Sequence, residues 1–297
     1  MTDYGHDLLF GTFVTPTNEP AHHPVEQAVV ADRAGLDLVS FQDHPYQPRF
    51  HDTSTLLAYA AARTERVRLT ANVTNLPLRP PAVLARAIAT LDRLSGGRVE
   101  LGLGAGGFWD AIEAMGGPRR SPGESIEALE EAIEIIRGIW DTDQRGRFVV
   151  EGKHYQVDGA KRGPAPAHDV GIWIGAYGPR ILRMTGRVAD GWIPSWQYLK
   201  NGADDLVRMN KNIDDGAAAV GREPAAIRRL LNIGGRFATQ SGGFLQGPPD
   251  QWAQELAEMT LTHGITGYFL ASDDTATTEM FAGEVAPAVR ELVAAER

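Results

Sequence analysis

The sequence contains no cysteine. That absence excludes disulfides, thiolate metal sites, iron–sulfur clusters and cysteine nucleophiles together. Positive charge is also in short supply: 38 acidic against 29 basic residues leave a formal net charge of −9 and a pI near 5.4. A general affinity for nucleic-acid phosphates or anionic lipid is therefore not expected, and small molecules are the natural ligands. No stretch approaches the roughly 18 uninterrupted apolar residues that span a bilayer. The opening MTDYGHDLLFGTFV lacks a basic segment followed by a long apolar one, so the expectation is a cytoplasmic protein without membrane contact. Linker-like stretches, internal repeats and low-complexity tracts are missing as well.

What is present is a globular balance, 43% hydrophobic and 23% charged over 297 residues, enough for a large core. Short apolar, β-branched runs recur: LLFGTFV from Leu8, LDLVSFQ from Leu36, VRLTANV from Val67 and RVELGL from Arg98. They continue with VGIWIGA from Val170, ADGWIPS from Ala189, IRRLLNIGGRF from Ile227 and ITGYFLAS from Ile265. Between them lie amphipathic segments such as PPAVLARAIATLDRLSGG and SPGESIEALEEAIEIIRGIWD. The second opens with Ser121 as N-cap, Pro122 in the first turn and Glu124 as the capping-box acid. Apolar strands alternating with helices predict a parallel sheet covered by helices. Eight such units in 297 residues predict an α/β fold closed into a (β/α)8 TIM barrel, with an open doubly wound sheet as fallback. The barrel is expected to occupy residues 1–297 as one domain, with an insertion at about 141–169 between strands four and five. There RFVVEGKHYQV reads as two extended runs around Gly152.

RVELGLGAGGFWD, Arg98 to Asp110, places Gly102, Gly104 and Gly107 in a G-x-G-x-x-G pattern after an apolar run. A dinucleotide loop needs an acidic residue about 20 positions on, at the end of the next strand, to hold the ribose. That position falls near Glu127, inside the helix opened by Ser121, and the motif sits at strand four. Beside the dinucleotide reading stand two others: glycines that merely let the backbone turn, and glycines that leave room for a flat ring system at the barrel mouth.

In a TIM barrel, function sits at the C-terminal ends of the strands. Strand two ends in SFQDHP, with Asp43 beside His44. A carboxylate can orient an imidazole and raise its basicity for proton transfer near pH 7; a hydrogen-bonded loop histidine is the plain alternative. Asp43, His44, His51 and Asp52 also admit a metal. A metal-dependent hydrolase barrel, however, wants an H-x-H pair at strand one and histidines at strands five and six, whose ends here read FVT, GAY and IPS; no metal is expected. In GAYGPRILRMTGR, small residues end a strand and Pro179 begins a helix, so free N–H groups and the helix dipole face one spot. This suits a phosphate, or is a βα turn with no ligand. Phe108, Trp109 and Trp196 either pack the core or wall an apolar substrate pocket, whereas Trp192 is expected to be ordinary packing.

Taken together, SFQDHP, NLPLRPPAVLARAIATLDRLSGGRVELGLGAGGFWD, SIEALEEAIEIIRGIW and IWIGAYGPRILRMTGRVADGWIPS resemble the bacterial-luciferase-like superfamily of flavin- and deazaflavin-dependent oxidoreductases. The resemblance runs from strand one to about Ser195 and is weaker afterwards. It implies a TIM barrel in which His44 lies against the reactive face of the cofactor ring with Asp43 as its neighbour. Asn72 and Val73 match a non-proline cis peptide behind the ring. Gly104, Ala105, Gly106 and Gly107 match the segment along the ring edge, and Ala176, Tyr177, Gly178 and Pro179 the segment that receives the cofactor phosphate. Sugar-phosphate-oxidising members carry a glutamate at the position of Gly107, so that substrate class is not implied here. The doubled histidine with glutamate of true luciferases is also absent, since the strand-two end reads Gln42-Asp43-His44-Pro45.

The resemblance at Asp43-His44 favours the deazaflavin coenzyme F420 over FMN as cofactor. It implies hydride transfer to or from an organic small molecule, with His44 donating a hydrogen bond or proton and Asp43 tuning it. Arg119 and Arg120 stand either against the carboxylates of the F420 tail or in solvent. The alternative within the family is an FMN monooxygenase fed by a separate reductase. Outside it stand a non-catalytic flavin-binding barrel and a metal hydrolase. Homodimers are frequent in the superfamily.

Overall fold

The apolar runs are buried on both faces, as a parallel sheet with helices outside requires. Every position of Leu38–Phe41, Leu101–Gly104 and Ile172–Ile174 is buried. The computed structural model describes residues 3–297. Its main strands are β1 (Leu9–Val14), β2 (Leu38–Phe41), β3 (Arg68–Ala71), β4 (Leu101–Gly104), β5 (Ile172–Ile174), β6 (Gly191–Trp192), β7 (Arg228–Ile233) and β8 (Gly267–Ala271). All pairings among them are parallel. The ladder runs β3-β2-β1-β8-β7-β6-β5-β4, and a short continuation of β3, Thr74–Asn75, pairs with β4 at the far end.

One chain segment, 68–75, thus supplies both edges of the sheet. Its first half pairs with β2, its second half with β4, and a bridge between Leu69 and Val99 completes the ring. Closure removes the free edges that an open sheet would expose. The fold is the expected TIM barrel.

The eight outer helices are α1 (His23–Ala34), α2 (Thr53–Ala61), α3 (Pro81–Ser95), α4 (Pro122–Trp140), α5 (Pro179–Val188), α6 (Ala203–Ala218), α7 (Pro249–His263) and α8 (Ala286–Glu296). α4 starts where the capping box predicts: Glu124 N–H donates to Ser121 Oγ (3.3 Å) and Ser121 N–H to Glu124 Oε2 (2.9 Å). α3 buries Leu84, Ala85, Ile88 and Ala89 at helical spacing. The segment between α4 and β5 forms an antiparallel hairpin, Phe148–Glu151 with Gln156–Ala160. Its turn is pinned to α4 by Glu131, whose carboxylate accepts from the N–H groups of Lys153, His154 and Tyr155, each at 2.9 Å.

Inside the ring, Leu38, Trp173, Ile193, Leu230 and Phe269 form their own apolar cluster. Above this plug, at the C-terminal strand ends, lies a cavity. Among the described residues no helix is long and apolar enough to cross a membrane.

Before β5, His168 Nδ1 lies 2.9 Å from Asp92 Oδ1 and its Nε2 3.6 Å from Glu100 Oε1. Glu100 and Asp92 raise its pKa above the ordinary 6.5, against the opposing effect of burial. A raised folded-state pKa stabilises the fold fully below the unfolded value and loses that contribution as pH rises through the folded one. In urea unfolding, the stability advantage of the native chain over His168→Gln is therefore expected to shrink from pH 5.5 to pH 9. An advantage that is flat with pH overturns the assignment.

Candidate functional site

At the C-terminal mouth lies a cavity of about 600 Å³ bordered by residues from seven strand ends: Phe13, His44, Asn72–Asn75, Gly104–Phe108, Gly175–Gly178, Ile193 and Asn232. The plug beneath and the loops around it make a pocket large enough for a ring-sized ligand.

His44 follows β2 and lines this cavity. Its Nδ1 is 2.7 Å from Tyr46 Oη, and its ring meets Tyr46 and Phe108 edge-on, centroids 5.4 Å apart in both cases. Among the described residues nothing hydrogen-bonds its Nε2. Burial lowers the His44 pKa, and the Asp43 charge only partly opposes that, so the imidazole is neutral at pH 7. Tyr46 is pushed up to about 12, by burial first and then by the charge of Asp43. Its hydroxyl therefore keeps its proton and holds the histidine ring in either tautomer.

Asp43 does something other than orient His44. Its side chain is buried, 1% exposed, and its carboxylate is fully engaged elsewhere. Arg79 donates through Nε to Oδ2 and through Nη2 to Oδ1, both at 2.9 Å, and Asn75 N–H donates to Oδ2 at 2.9 Å. The geometry is the bidentate fork that suits guanidinium and carboxylate. Arg79 also reaches Asp52 at 2.9 Å, and its hydrogen bonds to both carboxylates raise its pKa despite burial. The expected Asp43–His44 pairing is thus replaced by a clamp between the β2 end and the segment after β3, and Tyr46 takes the orienting role.

The peptide bond between Asn72 and Val73 is cis. Asn72 Nδ2 donates to Asn232 Oδ1 (2.6 Å) and Ser40 Oγ (3.2 Å), while Asn232 Nδ2 donates to Asn72 Oδ1 (3.1 Å) and Ser195 Oγ (3.0 Å). This reciprocal amide pair links β3 to β7 across the mouth. Asn232, Tyr46, Asn75 and Arg79 were not among the sequence-derived candidates. For Asn232 the signal was a lone amide in an otherwise apolar strand, LLNI.

The glycines divide into two kinds. A Cβ on Gly104 would stand 2.7 Å from Val73 Cγ2, so the missing side chain there makes room for Val73. Gly106, at φ +96°, would meet Pro77 Cγ at 2.7 Å and Trp109 at 2.9 Å. Only Gly107 in this run faces open space, with nothing within 4 Å of the point a Cβ would occupy. All four residues Gly104–Gly107 border the cavity, and among the three glycines only Gly107 also leaves open the place a side chain would take.

Trp109 stands behind Gly106 and Trp196 stacks on Phe244 at 4.1 Å, so neither borders the cavity, whereas Phe108 does. Trp192 is buried and donates through Nε1 to Ala176 O at 2.9 Å. Ala176, Tyr177 and Gly178 line the cavity, and Pro179 opens α5, whose first-turn N–H groups have no intrahelical partners. Tyr177 Oη accepts from Ser195 N–H at 2.8 Å. Arg119 pairs with Asp110 and Glu113, and Arg120 is buried over Tyr155 with its centre 4.8 Å from the ring. Both arginines are committed within the protein, away from the cavity lining.

Residues 7–237 match the family model of luciferase-like monooxygenases. The chain belongs to this family. The F420-dependent glucose-6-phosphate dehydrogenase of Nocardia farcinica is 35% identical over 219 residues, covering 70% of this chain and 63% of that protein. The chain thus spans under two thirds of that relative's length. An F420-dependent secondary alcohol dehydrogenase in complex with an F420-acetone adduct superposes with a TM-score of 0.81 at 19% identity, covering 96% of this chain and 99% of the other. The oxygenating constituent of 3,6-diketocamphane monooxygenase from Pseudomonas putida, in complex with FMN, gives 0.77 at 19%, covering 95% and 99%. These two likenesses concern the luciferase-like barrel itself.

Two outcomes test the geometry. Asp43→Asn is expected to cost about 3 kcal/mol in urea unfolding, the lower end for breaking a buried pair because Arg79 keeps Asp52. A loss below about 1 kcal/mol, the scale of a surface pair, contradicts the clamp. Phe108→Ala is expected to admit water to His44 and move its NMR titration midpoint upward toward 6.5; an unmoved midpoint shows that Phe108 does not desolvate the ring.

Proposed function

We propose that the protein is an oxidoreductase that transfers a hydride between coenzyme F420 and a small organic molecule held beside His44. The observation that carries this reading is a neutral imidazole on the cavity wall, fixed through Nδ1 by Tyr46 and with Nε2 left over for a ligand. The F420-dependence named in the relatives supports the choice of cofactor.

The cavity suits such a cofactor. Asn75 Oδ1 is buried without a partner beside the cavity, an acceptor waiting for a donor such as a ring N–H. Gly107 and Gly178 leave open space where a side chain would intrude. The start of α5, next to Gly178, offers N–H groups to a phosphate. When bound, F420 supplies a ring carbon that takes up or releases a hydride.

The protein's own work is positional and protonic. In alcohol oxidation the hydroxyl proton passes to His44 Nε2 as the hydride leaves the carbon; in carbonyl reduction the same nitrogen returns the proton to the new oxygen. Tyr46 Oη accepts from Nδ1–H in both directions: Nε2 gains the proton in oxidation to give an imidazolium, and the imidazolium gives it back in reduction, so the ring stays in place. The apolar plug beneath the cavity and the Phe108 ring against His44 cover part of the imidazole and lessen its contact with water.

The family model's own description, a monooxygenase, favours one alternative: reduced FMN supplied by a separate reductase, with oxygen as co-substrate. Parallel equilibrium titrations with F420 and FMN separate the two. F420 is expected to bind more tightly, and tight FMN binding with none for F420 overturns the choice. His44→Ala is expected to lower turnover by about 10²–10⁴ while cofactor affinity stays within a few-fold. Undiminished turnover rules out the role given to His44.

A further inference from the structure

We propose that the substrate of this site is an uncharged molecule with a hydroxyl or carbonyl group on an apolar body, and that sugar phosphates are excluded. The inference rests on the hydride-transfer reading above and concerns what occupies the space next to His44.

Charge is the first argument. Among the described residues no lysine or arginine borders the cavity, and its one carboxylate, Asp43, is saturated by Arg79 and Asn75. His44 is neutral. Three guanidinium groups near the mouth are engaged by the protein: Arg79 with Asp43 and Asp52, Arg119 with Asp110 and Glu113, and Arg180 with Glu127. A phosphate dianion placed against His44 would shed its hydration with no cation to replace it. The net charge of −9 repels it further at long range. The N–H groups at the start of α5 stand at the β5 end and are taken by the cofactor phosphate in the same reading.

The walls are the second argument. Phe13, Tyr46, Phe108, Ile193 and Tyr198 give the cavity apolar and aromatic sides. Phe108 is 62% exposed although it packs against His44 and lies 5.9 Å from the Tyr46 ring. An aromatic ring left in water beside a reacting group gains when an apolar ligand covers it. Gly107, beside it, adds open volume without adding charge. For recognition of a hydroxyl or carbonyl oxygen the cavity offers His44 Nε2 and side chains without hydrogen bonds of their own among the described residues, such as Gln42, Gln197 and Tyr198, all of them uncharged.

The test begins with F420 and FMN titrations by fluorescence; absence of F420 binding overturns the cofactor reading and leaves the substrate question intact. The protein, loaded with whichever cofactor binds or unloaded if neither does, is then titrated calorimetrically with cyclohexanol, 2-octanol and glucose 6-phosphate. At least one neutral alcohol is expected to bind about tenfold or more tightly than glucose 6-phosphate. Phe108→Ala is expected to weaken the alcohol by about tenfold and to leave the phosphate unchanged. A ratio below about tenfold, or no alcohol binding below about 10 mM, overturns the proposal.

Discussion

The buried carboxylate of Asp43 is the contact on which the mouth of the barrel depends. Three hydrogen bonds, two from Arg79 and one from the backbone of Asn75, tie the end of β2 to the segment that follows β3. That segment carries Val73, which fills the space left by Gly104, and Asn72, which reaches across to Asn232 on β7. His44 follows Asp43 directly, so its backbone is anchored by the same clamp. Losing the Asp43 carboxylate would leave the half-buried Arg79 with Asp52 alone and unfasten the end of β2 from the segment after β3.

The clamp also sets the electrostatics. Because Arg79 absorbs the Asp43 charge, no free ion faces the cavity, and burial can keep the imidazole neutral. Tyr46, held protonated by the same surroundings, gives His44 a fixed partner that accepts or donates. A neutral imidazole in a pocket whose one carboxylate is paired suits chemistry in which a hydride and a proton move together, since neither end of such a reaction leaves a buried net charge.

Most of the fold was legible in the sequence because its signals are local. Apolar runs buried on both faces became β1 to β8, the Ser121 capping box began α4, and the runs around Gly152 became a hairpin. The strand ends likewise pointed to the end of the barrel where the cavity lies. What the sequence concealed are commitments between distant side chains. Asp43 is 36 positions from Arg79, and nothing in DHP reveals that its carboxylate is already taken. Asn72 is 160 positions from Asn232. Trp109 and Trp196 sit at strand ends but turn away from the cavity, because Pro77 with Gly106 and Phe244 offer them apolar partners elsewhere. Arg119 and Arg120 look like free cations in a chain of letters, yet Asp110, Glu113 and Tyr155 hold them.

The division of β3 joins these observations. Parallel strands in a ring must each pair on both sides, but Arg68–Ala71 pairs along its length only with β2, touching the neighbouring strand at Leu69 and Val99. Pairing with β4 resumes at Thr74–Asn75, after the chain has stepped sideways at Asn72–Val73. The step is where the ring would otherwise leave backbone groups unpaired, and Asn75 N–H finds Asp43 while Asn72 N–H finds Phe41 O at 2.8 Å. Closing the barrel and shaping the cavity are therefore one structural event. Asp43, which satisfies the interrupted ladder at Asn75, is the residue next to His44, so the site is built on a segment fixed by three hydrogen bonds to a buried carboxylate.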